Sequence, residues 1–172
     1  LAQPCRLLPA ALNAVADGGE VWMLDSANYN NGLVTIAKDV TVLAVPGVIG
    51  SVVSTGGGNP AIRVPAGTLK VTLRNLVVTG LAGATGATSG VEVNSGSHVI
   101  LVDCDLSNMN EGVSATPSAR ATMLRGLVRG MSGNGAFAEA NAILVIDGTR
   151  FAANGTGISL QALAPDTGVN FM

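Results

Sequence analysis

The chain has 172 residues and a formal net charge of −2, with 12% charged, 3% aromatic and 48% hydrophobic residues. That balance suits one folded domain with a substantial core and excludes a disordered chain. Nine scattered basic residues leave no electrostatic footprint for nucleic acid, and no apolar run is long enough for membrane insertion.

Residues 7–17 read as a capping helix. Leu8, Leu12 and Val15 recur at helical spacing with Ala11 beside them, and Asp17-Gly18-Gly19 offers glycine for the left-handed position after the last turn. Residues 20–24 form the first strand, closed by turn-rich residues 25–32. Trp22 and Tyr29 flank this first coil and are read as core and loop packing. Runs 33–36 and 40–45 follow, separated by Lys38-Asp39, and Pro46-Gly47 stops the second because proline has no N–H for a ladder. Next come 51–53, the Gly56-Gly57-Gly58 turn, 61–64 and a strand over 71–78; residues 80–89 (GLAGATGATS) read as a low-complexity loop extruded from one coil.

From Gly90 onward one pattern is written three times. Copies open at Gly90, Gly112 and Gly135, and a fourth at Gly157, in steps of 22, 23 and 22 residues. Each of the three contains a second β-like run, over 99–106, 121–128 and 144–151, read as one continuous strand. Val78, Leu106, Val128 and Phe151 align, with Leu76, Cys104, Gly126 and Thr149 two places earlier, so both columns should face the core. Self-similarity at this period marks a solenoid, and short β-runs without helical spacing point to a β-helix.

The predicted fold is all-β: a right-handed parallel β-helix with a short N-terminal capping α-helix. We read residues 1–172 as a single domain, with the helix over 7–17, five or six coils over 20–160 and a tail over 161–172. Both ends look cut from a longer chain, and an uncapped solenoid end invites homo-oligomers through end-to-end strand pairing. Cys5 suggests a disulfide with a partner upstream of Leu1, while Cys104 reads as a small buried apolar residue.

The Pro4-Cys5-Arg6 start, the Ala-rich helix and Gly18-Gly19-Glu20-Val21-Trp22-Met23-Leu24-Asp25 resemble a set of bacterial exported proteins, as do Val34-Thr35-Ile36 and Val40-Thr41-Val42-Leu43-Ala44. These are right-handed parallel β-helix repeat proteins of pectate-lyase-like topology. The resemblance implies a periplasmic or extracellular location and a second cysteine before the Pro-Cys segment. It places the chain in a superfamily of polysaccharide lyases and hydrolases that also has many members without known activity. Fold alone does not transfer an activity.

Pectate-lyase-like chemistry needs acidic Ca²⁺ ligands and a nearby base, and glycoside hydrolysis needs carboxylates on one face. The best cluster is Asp103 and Asp105, read as outward on one strand, with Arg125 on the adjacent coil. One reading makes Asp103, Asp105 and Arg125 a catalytic or uronate-binding patch, with Asp103 and Asp105 as Ca²⁺ ligands. The reading we adopt is a solvated face with an Asp103–Arg125 ion pair, which contributes little to stability. Arg63 and Glu92 read as a second cross-coil pair, and His98, aligned with Lys70 and Arg120, as a surface residue. Outside the lyase alternative no cofactor or metal is implied. The expected function is a non-catalytic exported scaffold or binding protein with polysaccharide as its partner; the alternatives are a polysaccharide lyase or hydrolase, and a self-assembling structural protein.

Overall fold

The computed structural model of the chain describes residues 4–81, 86 and 88–161, and the backbone of 170–171. After helix α1 (Leu8–Ala14), the chain winds through six coils of three strands each. The first coil holds β1 (Gly19–Met23), β2 (Ala27–Asn28) and β3 (Val34–Thr35), and the second β4 (Val40–Ala44), β5 (Gly50–Ser54) and β6 (Ile62–Val64). The third is β7 (Lys70–Arg74), β8 (Leu76–Gly80) and β9 (Ser89–Val93); the fourth is β10 (His98–Val102), β11 (Asp105–Ser107) and β12 (Glu111–Ala115). The fifth is β13 (Arg120–Leu124), β14 (Leu127–Arg129) and β15 (Asn134–Ala138); the sixth is β16 (Ile143–Asp147), β17 (Arg150–Ala152) and β18 (Thr156–Leu160). A further strand, β19 (Asn170–Phe171), pairs with β16.

The strands stack into three all-parallel sheets: β1-β4-β7-β10-β13-β16-β19, β2-β5-β8-β11-β14-β17 and β3-β6-β9-β12-β15-β18. The molecule is therefore a right-handed parallel β-helix, as the repeat predicts. Inward columns follow the pairing register. Val21, Val42, Leu73, Leu101, Met123 and Ile146 stack in the first sheet, and Val52, Val78, Leu106 and Val128 in the second. All of these are buried, and each fully buried aliphatic side chain contributes about 1.5–3 kcal/mol.

Left-handed residues stack at the corners. Asn75, Asp103, Arg125 and Gly148, at φ of 55, 54, 52 and 59°, lie between the first and second sheets. Asn108, Gly130 and Ala153 stack between the second and third sheets, and Gly96, Ser118 and Asn141 between the third and first. A single left-handed residue redirects an extended chain sharply, so its recurrence at one register makes a corner that repeats from coil to coil. This corrects four predicted strands. The runs 71–78, 99–106, 121–128 and 144–151 are each two strands, bent at Asn75, Asp103, Arg125 and Gly148 respectively. Leu76 and Cys104 are buried just after the bend, whereas Gly126 and Thr149 in the same column are only partly covered.

The opening glycines of the first three copies have a steric cause. A Cβ at Gly90 would lie 2.7 Å from the Gly112 carbonyl oxygen, one at Gly112 would meet the Gly135 carbonyl, and one at Gly135 would meet the Gly157 carbonyl. Successive coils approach too closely there for any side chain.

Helix α1 is shorter than predicted and ends differently. It seats Leu8 and Leu12 on the first coil, with Ala11 and Val15 packed beside them. Val15 closes it in an extended conformation, its N–H donating to the Ala11 carbonyl at 2.9 Å. Gly18, at φ +75°, acts three residues later in the turn into β1, where its N–H donates to the Asp39 carbonyl. Trp22 is a second correction: alternation in β1 sends Val21 and Met23 inward and leaves Trp22 outward, 58% exposed. Its indole N–H donates to Glu20 Oε2 at 2.9 Å. Tyr29 is partly buried against the core, as expected. In the 80–89 loop, residues 82–85 and 87 lie outside the described residues, as do 162–169 of the predicted tail.

Candidate functional site

Asp103 turns the corner after β10, and Arg125 holds the same corner one coil on, because β10 and β13 pair in register from His98–Arg120 to Val102–Leu124. Coil spacing of about 4.8 Å brings their side chains together. Arg125 Nε donates to Asp103 Oδ1 at 3.0 Å and Nη2 donates to Oδ2 at 3.1 Å, a two-pronged contact. Both side chains are exposed, and Asp103's hydrogen bonds, then its charge, hold the Arg125 guanidinium above its ordinary value.

Asp105 stands elsewhere. It starts β11 on the outer face of the second sheet, between Val77 and Leu127, and Arg129 Nη2 reaches its Oδ2 at 3.2 Å. The three sequence candidates therefore do not converge. The corner at Asp103 separates it from Asp105, and each carboxylate takes its own arginine from the next coil. Arg129 is the partner that column alignment passes over, since it lies diagonally, two residues beyond the position opposite Asp105. Its signal was a basic residue on the outward alternation of the neighbouring strand.

These residues do not fit Ca²⁺, which takes six to eight oxygen ligands. Both Asp103 oxygens accept from Arg125, and Asp105 keeps only Oδ1, which is enclosed and without a donor. Two guanidinium groups beside the carboxylates oppose a cation. Among the described residues no group of three or more His, Cys, Asp and Glu could hold a metal.

The third sheet carries the other expected pair. Arg63 Nε donates to Glu92 Oε1 at 2.7 Å, and Asn94 Nδ2 donates to the same oxygen at 3.1 Å. The outward column Arg63, Glu92, Ser114, Phe137 and Ser159 follows the observed pairing. One coil beyond Glu92's own, Asn134 Nδ2 donates to Glu111 Oε1 at 3.2 Å. Cys104 is buried, its Sγ near the Leu73 carbonyl at 3.4 Å, and burial pushes the thiol up to about 11. Cys5 is exposed and free.

His98 lies between Lys70 and Arg120 in register, its Nε2 3.1 Å from Thr122 Oγ1. Burial, then Arg120 and Lys70, lower its pKa below 6.5. The unfolded chain therefore takes up a proton before the folded one, so this contribution is present above pH 6.5 and is lost as pH falls below it. Between about pH 7.5 and 5.5, the melting temperature of the protein should fall more steeply than that of a His98→Gln variant. Parallel slopes would contradict this assignment.

Comparison of the chain with protein-family models, with curated proteins and with solved structures found no match.

Proposed function

We propose that the chain is a non-catalytic β-helix scaffold of an exported bacterial protein of pectate-lyase-like ancestry, which binds polysaccharide on an outer face without cleaving it. The observation that carries this reading is the pairing of Asp103 with Arg125 and of Asp105 with Arg129, each across adjacent coils. Hydrolysis of a glycosidic bond needs one carboxyl to donate a proton and another to act as base or nucleophile, about 5–9.5 Å apart and facing the same bond. Here each carboxylate is engaged by its own arginine and the two lie on either side of a corner, which suits clamping and leaves no pair facing one bond. Lyase chemistry needs a cation site, and the same two arginines oppose one. The paired side chains are better explained as ties between coils, added to the backbone ladders.

The test is turnover on a panel of acidic and neutral polysaccharides with Ca²⁺ supplied, followed by ultraviolet absorbance of unsaturated ends and by reducing sugar. The expected result is no product from any member, with retention of at least one polysaccharide on a glycan array. Product formation abolished by Asp105→Asn would overturn the proposal in favour of an enzyme, and an array without binding would remove the polysaccharide.

A further inference from the structure

The middle of the first sheet has an outer face unlike the others. On β7, β10 and β13 the outward residues are Lys70, Thr72 and Arg74, then His98, Ile100 and Val102, then Arg120, Thr122 and Leu124. These nine positions hold three permanent cations and no carboxylate, in a chain whose net charge is −2. Elsewhere Arg63, Arg125 and Arg129 are each tied to a carboxylate, but Lys70, Arg74 and Arg120 are exposed and take part in no ion pair among the described residues.

From this we infer that the outer face of β7, β10 and β13 is a binding surface for a linear sulfated polysaccharide. The inference rests on the proposal that the chain binds polysaccharide, and it names the face and the chemistry.

Charge complementarity gives the sign of the ligand, and spacing gives its form. Lys70 and Arg120 lie two coils apart, about 9.6 Å, and Lys70 and Arg74 lie four residues apart along one strand, about 13 Å. Those separations exceed one oxyanion and match charges repeated along a chain. A guanidinium presents paired N–H donors that fit a sulfate's oxygens, and Arg74 and Arg120 supply two. Between the cations lie the hydroxyls of Thr72 and Thr122 and the aliphatic surfaces of Ile100, Val102 and Leu124, which offer hydrogen bonds and apolar contact to a sugar ring. None of the nine residues is Phe, Tyr or Trp, and the one ring among them, that of His98, is tied to Thr122, so the face has no broad platform on which nucleobases would stack. His98 sits at the centre of the cation column and bonds Thr122, which fixes one hydroxyl beside the charges.

The test is calorimetric binding of heparin and dextran sulfate, with unsulfated dextran, inorganic polyphosphate and single-stranded DNA as separate arms. The protein should bind both sulfated chains and not dextran, and the affinity should fall as salt rises. The triple variant Lys70→Gln, Arg74→Gln, Arg120→Gln should lose at least about tenfold in affinity, while Arg150→Gln, which removes an exposed cation from the second sheet, should lose little. All three truncated groups are exposed, and the glutamine stems keep their apolar cover. Single variants, each checked for an unchanged melting temperature, repeat the measurement should the triple variant be unstable. Three results would overturn the inference: no binding of sulfated chains, equal affinity in the triple variant, or tighter binding of polyphosphate or DNA. If neutral glycans bind and the triple variant retains them, this face is wrong while the polysaccharide reading stands.

Discussion

Gly112→Ala should lower stability by about 3 kcal/mol, while Gly157→Ala, the same change at the same register, should be nearly neutral. Both glycines open a repeat, and neither has a left-handed backbone that would explain its identity. The difference is what lies beyond. A Cβ at Gly112 would enter the Gly135 carbonyl of the next coil and lie 2.6 Å from Val128 Cγ1, whereas one at Gly157 meets nothing within 4 Å among the described residues. A carbonyl held in a parallel ladder cannot rotate away, so relief would require two coils to separate and β12 to lose its hydrogen bonds to β15. For a chain of this size the expected loss in melting temperature is about 6–12 °C, measurable by thermal denaturation followed by circular dichroism. Equal melting temperatures for the two variants would mean that the coils are not packed in this register.

The second large effect is expected at Leu106. Its side chain is 1% exposed and is stacked between Val78 above and Val128 below. Leu106→Ala should cost about 2–5 kcal/mol, from lost transfer energy plus the cavity left behind. The cavity cannot close easily, because the neighbouring residues belong to ladders whose spacing is fixed by backbone hydrogen bonds. Leu106→Met, which nearly conserves volume, should cost less than about 1.5 kcal/mol. Denaturant titration of the pair separates the two terms. Were the alanine variant as stable as the methionine one, the column could not be the core of the cylinder.

The coil register was legible in the sequence because the glycine steps of 22 and 23 residues are the coil lengths themselves. Val78, Leu106, Val128 and Phe151, which share one place in the repeat, are the residues that the ladders pair. The corners were not legible. Of Asn75, Asp103, Arg125 and Gly148, the glycine, asparagine and aspartate are types that visit the left-handed region, yet inside apolar runs each also reads as an outward strand residue. The arginine carries no such signal and is held there by the strands on either side. The bend shifts the inward alternation by one place, from Val99 and Leu101 before it to Cys104 and Leu106 after it, but the continuous apolar run 99–102 hides the shift, so a folded corner reads as an unbroken strand. That single error is what placed Asp103 and Asp105 on one face. Trp22 was misplaced for a different reason: an isolated large apolar residue suggests core, but period two in a short strand decides its side. The Asp103–Arg125 and Arg63–Glu92 pairs were legible because both follow directly from register.

The most direct test of the outer carboxylates as ties between coils is the Asp103→Asn, Asp105→Asn variant, compared with the native protein for both stability and turnover in one preparation. A residue that ties coils together and a residue kept for catalysis behave oppositely here, since replacing the latter often relieves strain or like-charge repulsion. The paired structure predicts a lower melting temperature in the variant, a difference that shrinks at high salt, and no polysaccharide turnover by either protein. Turnover by the native protein alone, with a variant that melts at or above it, would contradict the assignment and make Asp103 and Asp105 the working residues of an enzyme.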